Sequence, residues 1–275
     1  MPNVKLVLEY DGSNFCGWQY QPKMRTVQGE VERALKILLK EKVGLYVAGR
    51  TDAGVHAYGQ ISNFHTTVAV DTQIMPRKLN GILPHDVVVK EAEIVPEAFH
   101  ARYDAVSRQY VYVLSRHPVA VGRGYAYFCK FPLDLEEMKS AALHFLGEHN
   151  YRAFCCSSTE DPHYLSRVEM IQWEDNGEKI LLRVRANRFL RNMVRIMVGT
   201  LINVGRGALP ASEIPVILAS EKRVEAGYTA PPHGLFLEKV LYPESATSFA
   251  RDALRDATPE EEAGALEAEL AVDVN

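Results

Sequence analysis

Apolar positions along the chain follow two rhythms. Val4 to Glu9 reads as a strand, whereas Val27, Val31, Leu35 and Leu38 recur at helical spacing and predict a helix over 27–40, with Thr26 as its cap. Short strands over 44–48 and 59–65, a helix over 71–82 and the strand VVVKEAEIV at 87–95 complete a βαββαβ unit. The order then repeats. Ser107 to Leu114 reads as a strand and Asp134 starts a helix to Leu146. Strands 166–173 and 179–186 flank the tight-turn signal Asp175-Asn176-Gly177, a helix runs from Arg188 to Val204 before Gly205, and Leu235 to Tyr242 is the last strand. The pattern predicts an α+β fold of two ferredoxin-like βαββαβ halves, 1–104 and 105–243, with mainly antiparallel sheets flanking a central cleft.

Composition narrows the class. With 275 residues, 47% hydrophobic and 24% charged, the chain excludes disorder and has enough material for buried cores. No apolar run approaches the roughly 18 residues of a membrane span, and MPNVKLVLEY alternates where a signal peptide needs an apolar core, so the expectation is a cytoplasmic protein without membrane association. Four cysteines without a CxxC pair predict reduced structural thiols rather than a zinc site. The net charge of -4 is unevenly spread: nine acids against two bases in 244–275 leave residues 1 to 243 mildly basic. That acidic segment reads as a peripheral extension, either helical or partly disordered.

Three stretches carry candidate chemistry. The loop Gly49-Arg50-Thr51-Asp52-Ala53-Gly54-Val55-His56-Ala57 follows an apolar strand and packs an arginine, a carboxylate and an imidazole between glycines that allow close approach. The same residues also fit a turn in which Asp52 binds backbone amides and Arg50 is solvated. A metal site from Asp52, His56 and His65 matches no common ligand spacing. On the helix expected from Arg188, steps of about 100° per residue put Arg188, Arg191, Asn192, Arg195 and Gly199 on one face and Phe189, Met193, Ile196 and Met197 on the other. That predicts a basic stripe open to a polyanion, or a solvated face. Finally, Arg102-Tyr103 and Arg108-Gln109-Tyr110-Val111-Tyr112 interleave bases with rings, which suits either nucleobase stacking or a half-buried sheet.

The order of these motifs resembles the tRNA pseudouridine synthases of the TruA type. The likeness is carried by Tyr10-Asp11-Gly12 to Gly17-Trp18-Gln19, Val27-Gln28, the Gly49 to Ala57 loop and Phe99-His100-Ala101-Arg102 leading to Arg108 and Tyr110. It continues through Phe189, Met193-Val194-Arg195 and Gly199 to Thr229-Ala230-Pro231 and His233-Gly234-Leu235. The resemblance implies isomerisation of uridine to pseudouridine at positions 38, 39 and 40 in the anticodon arm of tRNA, without cofactor or metal, by a homodimer. It further implies Asp52 as catalytic aspartate, Arg195 as its arginine partner, Tyr110 against the target base and Arg50 beside the flipped nucleotide. His56 joins them as a candidate substrate contact from the same loop, and Arg108, Arg188 and Arg191 are expected on phosphates. One carboxylate suits this chemistry better than glycoside hydrolysis, which needs two. A nucleobase-releasing hydrolase and a non-catalytic RNA-binding module are the rival classes.

Overall fold

The computed structural model describes residues 1–156 and 163–243. The acidic extension from Glu244 onward therefore lies outside the described residues. Among the described residues ten strands form one sheet: β1 (Asn3–Tyr10), β2 (Tyr46–Val47), β3 (His56–His65), β4 (Val87–Val95), β5 (Ser107–Ser115), β6 (Tyr127–Phe128), β7 (Gly147–Asn150), β8 (Leu165–Asp175), β9 (Lys179–Ala186) and β10 (Leu235–Leu241). Their order is β4-β1-β3-β10-β5-β9-β8-β7, with β2 beside β3 and β6 beside β5. Strands before residue 104 occupy one side as β4-β1-β3-β2, and later ones the other as β10-β5-β9-β8-β7 with β6 beside β5; leaving β6 and β7 aside, both runs place their strands fourth, first, third, second. Pairing within each of these four-strand runs is antiparallel, and the two meet where β10 runs parallel to β3 through Phe236↔His56 and Leu237↔Ala57.

Five helices pack over this sheet: α1 (Val27–Leu39), α2 (Met75–Asn80), α3 (Leu135–Leu143), α4 (Met193–Gly205) and α5 (Glu213–Ser220). Val31, Leu35, Leu79, Met138, Met197 and Ile217 share one core with Leu6, Leu8, Tyr112 and Val184 of the strands, so helices cover one face and the other carries only small apolar clusters. α1 starts where expected because Thr26 Oγ1 accepts from the Gly29 amide at 3.3 Å. α2 is shorter than 71–82. Pro76 cannot sit inside a helix, since its ring would strike the carbonyl four residues earlier, so it occupies the first turn while Asp71 turns the chain ahead of it.

The expected helix start at Arg188 is not observed: α4 begins only at Met193, after Asn192 in the left-handed conformation at φ 64°. Neighbours take the backbone of the preceding residues, with Ser166 Oγ donating to Arg188 O at 2.6 Å and the Cys156 amide to Arg191 O at 3.0 Å. Arg188 and Arg191 therefore do not share a helix face with Arg195, and the basic stripe disappears. Its glycine notch is filled from within: a Cβ on Gly199 would lie 1.8 Å from Tyr228 O. α4 is buried nearly all round, as its apolar sequence requires. The helix α5 and the strands β6 and β7 went unread in the sequence, and no described helix is long and apolar enough to cross a membrane.

Candidate active site

The 49–55 loop connects β2 to β3 and is fastened from several sides. Thr51 O accepts from the Trp18 amide at 3.1 Å, and Phe15 O accepts from the Gly54 amide at 3.3 Å. Gly17, at φ +91°, lies so close that a Cβ there would be 2.8 Å from Thr51 O. Below the loop, Tyr10 OH and Thr51 Oγ1 share a hydrogen bond of 2.8 Å, while Gln60 Nε2 donates to Tyr10 OH at 3.2 Å and to Gly49 O at 2.7 Å. Burial pushes the Tyr10 hydroxyl up to about 12, so it stays neutral and holds this network.

Asp52 stands out of that platform with its carboxylate 28% exposed, and Arg195, on the first turn of α4, approaches it with Nη1 3.5 Å from Oδ2. The guanidinium is aimed by two further acceptors, Ala230 O at 2.7 Å from Nε and Asn192 Oδ1 at 3.0 Å from Nη1. The sequence put Asn192 on the face of Arg195 and Ala230 in the Thr229-Ala230-Pro231 motif, but gave neither the part of aiming the guanidinium. Tyr110 is 7% exposed and meets Phe189 edge-on at 5.1 Å. Burial, with Tyr10 and Asp52 nearby, raises its hydroxyl pKa. Asp52 and Arg50 thus come from the first half of the chain, Tyr110, Phe189 and Arg195 from the second. Arg50 is exposed and has no side-chain partner among the described residues.

Several candidates take other places. Both ring nitrogens of His56 have partners within the fold: Nδ1 accepts from the Gly12 amide at 3.0 Å, Nε2 lies 3.2 Å from Gly124 O, and the ring stacks on Phe236 at 4.6 Å. Burial lowers its pKa, against the pull of Asp11. Arg108 makes five hydrogen bonds to the carbonyls of Ala48, Arg102, Ala105 and Asn187, at 2.7 to 3.2 Å, the contacts of a structural joint. Tyr112 shares a face with Tyr110 but is fully buried and donates to Pro231 O at 2.8 Å, so only Tyr110 of that pair remains available for stacking. Arg188 lies 3.4 Å from His163 Nδ1, and Arg191 is exposed. Among the described residues no cluster of three or more His, Cys, Asp or Glu is placed to hold a metal ion.

Known proteins share this arrangement of sequence. The chain is 42% identical over 244 residues to the tRNA pseudouridine synthase A of a Thermoanaerobacter species, spanning 88% of this chain and 100% of that one. The tRNA pseudouridine synthase A of Bacillus subtilis is 40% identical over 243 residues, 87% of this chain and 98% of its own, and that of Acetivibrio thermocellus 44% over 244 residues, 88% and 100%. The profile of the family described as tRNA pseudouridine synthase matches residues 6–104 and 141–243. With a carboxylate facing an arginine across the junction of its two strand runs, and with these relatives along its length, the chain belongs to the tRNA pseudouridine synthase family.

Proposed function

We propose that the protein converts uridine to pseudouridine at positions 38, 39 and 40 in the anticodon arm of tRNA, with Asp52 as the catalytic carboxylate. The observation that carries this reading is the 3.5 Å approach of Arg195 to Asp52, made by elements from different halves beside a nearly buried tyrosine. The halves 1–104 and 105–243 act as two walls of one site. The protein works in the cytoplasm as a homodimer whose tRNA touches both subunits.

Isomerisation breaks the bond from ribose C1' to uracil N1, turns the base and joins C1' to C5; the proton leaving C5 is balanced by one gained at N1. The site must hold a detached base and keep water from the sugar carbon. A single carboxylate serves, either by adding to C1' or by removing the C2' proton. The target base has to leave the stack, and Tyr110 offers it a ring while the exposed Arg50 holds the displaced strand. Arg188 and Arg191, on the loop before α4, are assigned to phosphate contacts in this reading.

The test is incubation with uridine-labelled tRNA transcript followed by nucleoside separation. Wild-type protein forms pseudouridine and no free uracil, and Asp52→Asn forms none while its tRNA affinity stays within about tenfold, because a lost carboxylate removes no phosphate contact. Free uracil without pseudouridine would assign a hydrolase instead, and full activity of Asp52→Asn would remove the aspartate from the mechanism.

A further inference from the structure

Outside the Asp52 site, the 99–104 turn presents an unusual surface. Its residues alternate between anchors and display. Phe99 and Ala101 are buried at 4% and 0% exposure, and Asn63 fixes the turn by donating to Phe99 O at 3.2 Å and accepting from the Ala101 amide at 2.9 Å. Asn3 Nδ2 donates to Phe99 O at 2.8 Å, and Tyr242 OH to Ala101 O at 2.6 Å. The residues between them, His100, Arg102 and Tyr103, point outward.

These outward rings form a row. Tyr103 is 75% exposed and lies 4.3 Å from the His100 ring, which is 4.7 Å from Tyr46, itself 47% exposed on β2. His100 is locked in place, since its Nδ1 accepts from the amides of Arg102 at 3.1 Å and Tyr103 at 3.4 Å. The Arg102 guanidinium sits 5.8 Å from the Tyr103 centroid. Nearby carboxylates are occupied: Asp104 accepts from the His100 amide at 2.8 Å, and Glu97 pairs with the terminal amine at 3.1 Å. A tyrosine that solvent reaches over three quarters of its surface gains little by packing, so the ordering of its neighbours calls for another explanation.

We propose that Tyr103, backed by His100 and Tyr46 and flanked by Arg102, is a stacking subsite for an unpaired nucleotide of the RNA substrate, next to the nucleotide undergoing reaction. The inference rests on the RNA-modifying reading of the Asp52 site and adds a second anchor to it. An exposed ring accepts any base, and a flanking guanidinium meets the adjoining phosphate. Continuity with the active site favours RNA over other partners. Tyr46 precedes Asp52 by six residues, at most about 20 Å of chain, and exposed Arg50 lies between them in sequence. Arg108 Nη2 joins the two regions, donating to Arg102 O at 2.7 Å and to Ala48 O at 2.8 Å.

The test compares Tyr103→Ala, Tyr103→Leu and Tyr103→Trp with wild type, using an anticodon-arm RNA whose binding is followed by fluorescence anisotropy and whose pseudouridine is counted in single turnover. A stacking contact of about 1 to 3 kcal/mol predicts that Tyr103→Ala raises Kd about five- to 150-fold. Tyr103→Leu, which keeps apolar area without a ring, is as weak, Tyr103→Trp restores affinity, and the rate at saturating enzyme stays within about twofold. Because stacking releases no counterion, Tyr103→Ala leaves the slope of log affinity against log salt unchanged, whereas Arg102→Gln lowers it by about one. Unaltered affinity in Tyr103→Ala, with wild-type protein still forming pseudouridine, overturns the subsite and spares the catalytic reading. Failure of the wild type to form pseudouridine overturns the catalytic reading, and the subsite is then judged by RNA affinity alone. If Tyr103→Ala instead changes the assembly mass in sedimentation, the surface belongs to a second copy of the chain and the proposal is wrong.

Discussion

Replacing Arg108 with methionine tests whether this arginine is a joint or an RNA contact. Its five hydrogen bonds end on four main-chain carbonyls, at Ala48 below the Asp52 loop, at Arg102 and Ala105 in the connection between halves, and at Asn187 below the loop that carries Phe189. Each charge-assisted bond contributes about 1.5–3 kcal/mol net. The side chain is only half-buried, so water replaces part of the loss, and burial already holds its pKa below the usual guanidinium value, which marks the cost of placing the charge there. Counting two unreplaced bonds gives about 3 kcal/mol or more, which for a domain of this size lowers Tm by roughly 6–12 °C. Arg108→Lys retains the charge and up to three donors and falls between. Calorimetry gives the Tm, and tRNA binding over a salt series gives the log–log slope. Since no phosphate is met, the slope of Arg108→Met matches wild type at temperatures where both are folded. A Tm within about 1 °C of wild type together with a slope lower by about one would refute the joint and restore the phosphate contact.

Two other perturbations follow from the same contacts. Gly199→Ala places a methyl 1.8 Å from Tyr228 O, so the chain carrying Ala230 has to move and with it the carbonyl that aims Arg195; turnover falls at least tenfold and stability by about 1–3 kcal/mol, while Gly44→Ala, with no atom within 4 Å of its Cβ, behaves as wild type in calorimetry and single-turnover assays. His56 and its neighbour His233 both have pKa values lowered mainly by burial, so the folded protein binds fewer protons than the unfolded chain; their stability is fully present above the unfolded value of about 6.5 and is lost as pH falls through the lower folded values. The drop in Tm below about pH 6.5 should therefore flatten in the double variant His56→Gln/His233→Gln; an equal pH dependence in both proteins would deny that these imidazoles are kept neutral by the fold.

Much of the architecture was legible along the chain because β1, α1, β4, β5 and β9 each combine a clear period with a turn or cap, and local signals suffice where every residue in a window agrees. The stretch 188–192 shows where they stop sufficing. Its residues continue the helical period of α4, but Ser166 and Cys156 bond its carbonyls and Asn192 takes a left-handed turn, so long-range partners override the pattern. Arginine and histidine are ambiguous for a related reason. A sequence states that a donor is present without naming its acceptor: Arg108 and Arg195 look alike in the chain, yet one spends its hydrogen bonds on four carbonyls and the other reaches a carboxylate. The sequence by itself determined the repeated α+β order, the polar loop around Asp52 and the interleaving of bases with rings, all consequences of nearest neighbours. The family resemblance named Arg195 as the partner of Asp52, and the fold brings the two together across 143 positions; only tertiary structure shows that His56 and Tyr112 turn inward and that Tyr103 stays out, because those outcomes depend on which distant backbone groups arrive to satisfy each side chain.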